Sequence, residues 1–199
     1  MERPIYRPLP MTRMAAGVTV QAPGAYAPMP VRPDSPAIEA MTDFRQVAAA
    51  TIGVTATIAQ ATQAMIARGV RLLIVVDADR AVQGLVTAHD TMGERPIKLM
   101  RERGLGHGEL TVADLMVPRG AIDVLDIGVV LRSEVGHIIA TLKAAGRQHA
   151  LVVDRDQLTR EEIVRGVFSA TQIGRQLGVP NLSFEVAQTF AEIEAELAK

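Results

Sequence analysis

The stretch Gly69-Val70-Arg71-Leu72-Leu73-Ile74-Val75-Val76-Asp77 is answered 77 positions later by Gly146-Arg147-Gln148-His149-Ala150-Leu151-Val152-Val153-Asp154. Each copy reads as the end of a helix, an apolar strand and a turn, so the chain holds two versions of one structural unit. Upstream, Met41 is answered by Met116 at a spacing of 75, so the register is nearly kept. Downstream, Gly84-Leu85-Val86-Thr87 is answered by Gly166-Val167-Phe168-Ser169 at a spacing of 82. The second copy therefore has the longer hairpin connection, placed in the charged stretch from Arg155 to Glu162, where an insertion is best tolerated.

Ahead of the first strand each copy carries an amphipathic pattern, with Ile58, Ala61 and Met65 in one and Val135, Ile138, Ile139 and Leu142 in the other. That spacing predicts a helix, capped in the second copy by Ser133 with Glu134 in the first turn, and stopped by Gly69 or Gly146. A second helix is expected to begin at Thr87 and at Ser169, whose hydroxyls can satisfy free amides. The unit is strand, helix, strand, strand, helix, and one copy alone has a thin core and a bare sheet face. An α/β (α+β) fold follows, in which two units pack about a pseudo-twofold axis with a cleft between them.

Eight of the 11 prolines fall between Pro4 and Pro36, among Arg3, Arg7, Arg13 and Arg32, and predict an irregular N-terminal arm. At the other end Val186, Phe190, Ile193 and Leu197 recur at helical spacing with Glu185, Glu192, Glu194 and Glu196 on other faces, which predicts an amphipathic helix. The expected layout is an arm over 1–36, one unit over 37–103, a Gly-rich linker over 104–110, a second unit over 111–178 and a C-terminal helix over 179–199.

Composition narrows the function. The 21 basic and 22 acidic residues nearly cancel and aromatic residues are 3% of the chain, which argues against nucleic acid as a partner. Without cysteine there is no thiolate metal site, and four scattered histidines form no metal motif. No apolar run spans a membrane and no secretory signal stands at the N-terminus, so a cytoplasmic location is expected. Gly104-Leu105-Gly106-His107-Gly108 follows a charged helical stretch and not a strand, so it reads as a connector and not as a phosphate loop. No nucleophile with its base can be assembled by spacing, and catalysis is not expected.

The Met-Thr entry at Met41 and Thr42, the helix stop at Gly69, the strand Leu73 to Asp77 and above all Gly84-Leu85-Val86-Thr87-Ala88-His89-Asp90 carry a resemblance to the CBS-domain pair, or Bateman module. It covers roughly residues 37 to 178. The resemblance implies a stand-alone regulatory module that binds an adenosine-containing ligand, such as AMP, ADP, ATP or S-adenosylmethionine, with no further cofactor. It implies that Asp90 grips the ribose hydroxyls, Thr87 lines the site and His89 meets phosphate. It further implies that adenine lies against Val70 and Arg71 and near Met41 and Thr42, while Thr55 and Thr57 are candidates by position. A disc-like homodimer and a client protein also follow from it.

The second copy departs from the pattern, because Gly166-Val167-Phe168-Ser169-Ala170-Thr171-Gln172 puts an uncharged amide where the acid belongs. A half-site built from Ser169, Gln172, Arg147 and Gln148 is expected to hold adenosine weakly or not at all. Two alternatives stand beside the sensor. Asp90 and Thr87 also read as a helix cap and no more, and Gln172 points to an interaction or dimerisation module with a degenerate site. An enzyme working in the cleft is the other.

Overall fold

The computed structural model describes residues 29–104, 106, 108–156 and 161–179. A 3-10 turn at Ala37–Ala40 leads into strand β1 (Thr42–Asp43). There follow β2 (Thr51–Gly53), α1 (Ile58–Arg68), β3 (Leu72–Val76), β4 (Val82–Thr87), α2 (Ala88–Met92) and α3 (Glu94–Arg103). The second copy runs through α4 (Val112–Leu115), β5 (Val117–Pro118), β6 (Val124–Asp126), α5 (Ile127–Val130), α6 (Val135–Ala145), β7 (His149–Arg155), β8 (Glu162–Ser169) and α7 (Ala170–Gln176). The expected C-terminal helix, apart from Val179, and the arm before Met29 lie outside the described residues.

Helix α1 buries Ile58, Ala61 and Met65, the stripe anticipated from their spacing, and α6 buries Val135, Ile138, Ile139 and Leu142. A fully buried side chain of this size contributes about 1.5–3 kcal/mol, so these stripes anchor both helices. Both helices stop in the left-handed conformation, with φ of 63° at Gly69 and 60° at Gly146. The start of α6 differs from expectation. The capping residue is Glu134, whose amide donates to Nδ1 of His137 at 3.2 Å, while the Ser133 hydroxyl donates to the Val129 carbonyl.

The described residues form two four-stranded sheets, in the orders β2-β3-β4-β5 and β1-β8-β7-β6. Both are irregular at the same place, between Val75 and Val76 in β3 and between Val152 and Val153 in β7. The faces of β3 and β7 that alternate away from the helices meet each other: Leu72, Ile74 and Leu151 form one buried cluster with Leu85, Val164 and Val167 against it. This seam joins the halves, while Leu73, Val75 and Val86 face the first helical layer and Val152 and Phe168 the second.

Packing units and sequence units do not coincide. Strand β1, at the head of the first copy, pairs with β8, and β5, at the head of the second copy, pairs with β4. Ala37, Ala40 and Met41 are buried in the second core, and Leu110, Val112 and Leu115 in the first. Glycine permits the exchange. A methyl group on Gly84 would meet the Val117 carbonyl oxygen and the Met116 sulfur, and one on Gly166 would meet the Thr42 oxygen at 2.6 Å and the Met41 sulfur at 2.8 Å.

The end of the Pro-rich arm is docked on the second half. The Val31 amide donates to the Gln176 carbonyl, the Gly136 amide to the Pro33 carbonyl and the Val135 amide to the Ser35 carbonyl. Gln176, 5% exposed, donates its side-chain amide to the carbonyls of Met29 and Glu39.

Candidate functional site

The site is built from the ends of the two central hairpins. Leu72 pairs with Thr87 at one end of β3–β4, and the Ala88 amide donates to the Arg71 carbonyl at 2.9 Å. Those two links bring Val70 and Arg71 beside the start of α2, where Thr87, His89 and Asp90 stand. The second half repeats the construction: His149 pairs with Ser169, and the Ala170 amide donates to the Gln148 carbonyl at 2.9 Å. Arg147, Gln148, Ser169 and Gln172 therefore gather in the pseudo-equivalent place.

Asp90 is tied into the start of its helix. Its Oδ2 accepts from the Thr87 amide at 2.9 Å and from the Thr87 hydroxyl at 2.7 Å, while the Asp90 amide donates back to that hydroxyl at 3.4 Å. Oδ1 faces the Arg95 guanidinium at 3.8 Å, and the side chain is 14% exposed. The cap reading of Thr87 and Asp90 is thus realised in the structure, and one carboxylate oxygen remains to meet a further hydroxyl. His89 is exposed beside it. At Ser169 the same position makes no side-chain cap.

Arg71 crosses the seam. Its guanidinium donates to the hydroxyl of Thr171, the residue that occupies in the second half the place of His89 in the first. No ion pair joins Arg71 to a carboxylate among the described residues. Burial first, then the charge of Arg71, lowers the pKa of His149 to about 4. The imidazole is therefore neutral at pH 7. The sequence singled out neither Thr171 nor Arg95. That His149 stands where the first copy has Leu72 is visible in the repeat.

Two pairs of the anticipated residues are elsewhere. Met41 and Thr42 belong to the second half through β1, and the Met41 side chain is buried in the second core against Gly166. Thr55 and Thr57 follow β2, whose Gly53 pairs with Val76. They leave the sheet at the end opposite to Thr87, about 13 Å away at ~3.3 Å per residue of β3. The Thr57 hydroxyl accepts from the Gln60 amide as the cap of α1, and the Ala56 carbonyl accepts from the Val112 amide.

A hollow of about 260 Å³ opens between α1, α2 and α3, lined by Ile58, Thr62, Thr91, Pro96, Met100 and Leu110 among others, and does not include Asp90. In the second half Arg165, 11% exposed, pairs with Asp43 of β1 and stands 3.7 Å from Asp154, which also receives Arg45 at 3.0 Å. The first half has the uncharged Gln83 on Asp77 at 2.6 Å in the corresponding place. Among the described residues no group of acidic or histidine side chains could hold a metal ion, and no helix is long and apolar enough to cross a membrane.

Two repeats facing each other across a common seam, each contributing a strand to the other's sheet, define a tandem α+β pair module. That fold is the fold of a CBS-domain pair. A crystal structure of an uncharacterized conserved protein from Pyrococcus horikoshii superposes with a TM-score of 0.51 at 16% identity, covering 72% of this chain and 92% of that one. CBSX2, a CBS-pair protein from Arabidopsis thaliana solved in complex with AMP, superposes with a TM-score of 0.50 at 18% identity, covering 71% of this chain and 94% of that one. The sequence matches no protein-family model and no curated protein.

Proposed function

We propose that the chain is a sensor that binds an adenosine-containing ligand at the end of the seam where Val70, Arg71, Thr87 and Asp90 converge. The observation that carries this reading is the Arg71 guanidinium, held across the seam on a neutral hydroxyl with no carboxylate to neutralise it. Such a group is a strong donor to a phosphate oxygen, in two parallel bonds where geometry allows. The outer oxygen of Asp90 is suited to a ribose hydroxyl. Binding would replace the Arg71–Thr171 bond and so alter how the two halves hold each other, which is the form of a conformational signal. This is a binding role and not a catalytic one. The AMP complex of CBSX2 agrees with it.

Calorimetric titration with adenosine, AMP, ATP and S-adenosylmethionine tests the proposal. Saturable heat with at least one of them at a single site per chain is the expected result, and it should weaken about tenfold or more in Asp90→Asn, in line with the ~1.5–3 kcal/mol of a hydrogen bond to a charged group.

A second reading is favoured by one observation: Asp90 caps the start of α2 through one oxygen and faces Arg95 with the other, so it has a structural role without a ligand. The module would then serve assembly alone. Ile66, Met92 and Ile97, exposed on α1, α2 and α3, are the surface a second copy or a client would cover. Absence of heat with all four ligands at millimolar concentration, together with a dimer in sedimentation, would favour it.

A further inference from the structure

The hollow between α1, α2 and α3 has a filled counterpart in the second half. Matching hydrogen bonds fix the register between the two places. The Val135 amide donates to the Ser35 carbonyl at 2.9 Å as the Ile58 amide does to the Leu110 carbonyl at 3.1 Å. The Ala37 amide donates to the Ser133 carbonyl at 2.8 Å, as the Val112 amide does to the Ala56 carbonyl at 2.8 Å. Residues 31–41 therefore stand to the second half as 106–116 stand to the first. The hollow's Ile58, Thr62 and Thr91 correspond to Val135, Ile139 and Ile173, and those three are buried in one cluster with Val31 of the arm. Val31 is 5% exposed and its amide donates to the Gln176 carbonyl at 3.1 Å. The Pro33 carbonyl accepts at 2.9 Å from the amide of Gly136, the counterpart of Ala59.

Among the described residues the first half has no such filling. Gly106 stands in the place of Val31, has no side chain, and turns its amide to the Glu109 carboxylate at 2.6 Å. The Ala59 amide makes no bond to the Gly108 carbonyl, the partner that the register assigns to it. What is left is a hollow of about 260 Å³ with that amide at its rim, below the ~300–1,000 Å³ of pockets for drug-sized ligands and suited to a side chain or two.

The arm carries the filling sequence twice. Pro28-Met29-Pro30-Val31 is preceded 20 positions earlier by Pro8-Leu9-Pro10-Met11, the same Pro-apolar-Pro-apolar pattern. We propose that the segment Pro8–Met11 docks in the hollow of the first half as the segment ending at Val31 docks on the second, with Met11 in the place of Val31. The sizes match. Thr62 and Thr91 are smaller than Ile139 and Ile173, and the space so left takes the longer, flexible methionine. Both threonine hydroxyls already donate, to the Ile58 and Ala88 carbonyls at 3.0 and 3.2 Å, so covering them strands no donor. The carbonyl of Arg13, which aligns with Pro33, accepts from the Ala59 amide. The Ala59 methyl, absent from Gly136, keeps the segment slightly further from its helix than Pro33 is.

The chain is long enough. The 17 residues from Thr12 to Pro28, extended at ~3.1 Å each, span about 50 Å. Helix, sheet, sheet and helix stacked ~10 Å apart put the two outer layers on the order of 30 Å from each other. The arm then straps the halves together, and its far end rests on Thr91, the neighbour of Asp90.

The chain has no cysteine, so an introduced disulfide reports the contact. In the full chain, Met11→Cys is combined with Gln63→Cys at the exposed rim of the hollow. In glutathione buffer that pair should close within one chain about tenfold or more faster than Val20→Cys with Gln63→Cys, although Val20 is tethered nearer to Met29. In methyl NMR of the full chain, the Met100 signal should move on Met11→Asp, a change outside the described residues. Equal closure rates, or a Met100 signal indifferent to Met11→Asp, would overturn the inference. A disulfide formed preferentially between chains would overturn it too, by giving the hollow to the arm of a second copy.

Discussion

The carbonyl oxygen of Thr42 lies 2.6 Å from the point where a Cβ on Gly166 would stand, and β1 can reach the second sheet because that side chain is a hydrogen. The same holds for Val117 over Gly84. The glycine that opens each Gly-apolar-apolar-hydroxyl stretch is thereby explained by close packing of an exchanged strand.

Gly84→Ala and Gly166→Ala should each destabilise the fold by about 2 kcal/mol, since the added methyl meets backbone oxygen and cannot be relieved by a rotamer change. Urea denaturation measures this, and loss of less than about 0.5 kcal/mol in both would contradict the exchanged packing.

Asp43→Ala should cost about 3 kcal/mol, because it leaves Arg165, 11% exposed, facing only Asp154 at 3.7 Å. Amide hydrogen exchange of β1 and β8 should accelerate with it, whereas amides of β3 and β4 in the other sheet keep their protection.

Two pH effects on stability have the same sign. His149 has a folded pKa of about 4 against an ordinary 6.5, so between those values the unfolded chain binds more protons and stability falls as the pH falls. From pH 7 to 4.5 the loss is about 2.5 kcal/mol by linkage, and His149→Leu should remove it, as read from denaturation midpoints at the two pH values. Asp114 is held below the ordinary 3.8 by the Thr111 hydroxyl, then by the Thr111 amide, with Arg103 at 2.5 Å adding to both. Its contribution is complete above the ordinary value and is lost as the pH drops below it, so Thr111→Val should flatten the acid limb below pH 4.

Asp90→Ala should cost about 1 kcal/mol of stability through the lost cap, and Asp90→Asn less, since an amide oxygen can still accept from the Thr87 amide. Comparing their thermal midpoints separates the cap from any ligand role.

The repeat made the fold legible. The apolar stripes of α1 and α6, the stops at Gly69 and Gly146 and the strands after them all stand where their spacing places them, because each is set by local periodicity and backbone freedom. The exchange of β1 and β5 could not be read from two nearly equal copies, since either sheet satisfies the local pattern of Met41-Thr42 or Met116-Val117. Thr55 and Thr57 are candidates by their position just before the first helix, whereas the parallel pairing of β2 with β3 carries them to the end of the sheet opposite Thr87. Arg165 carried a signal that went unused, a charge inside the apolar run from Ile163 to Phe168. The convergence of Arg71 and Thr171 depends on the angle between the halves, which no local pattern encodes.

Backbone NMR of the full chain titrated with AMP tests the account most directly. Shifts confined to Val70–Leu72, Thr87–Asp90, Gln148–His149 and Thr171 are predicted, with saturation at one ligand per chain. Shifts centred on the hollow around Pro96 and Met100, or an unchanged spectrum at millimolar AMP, would contradict it.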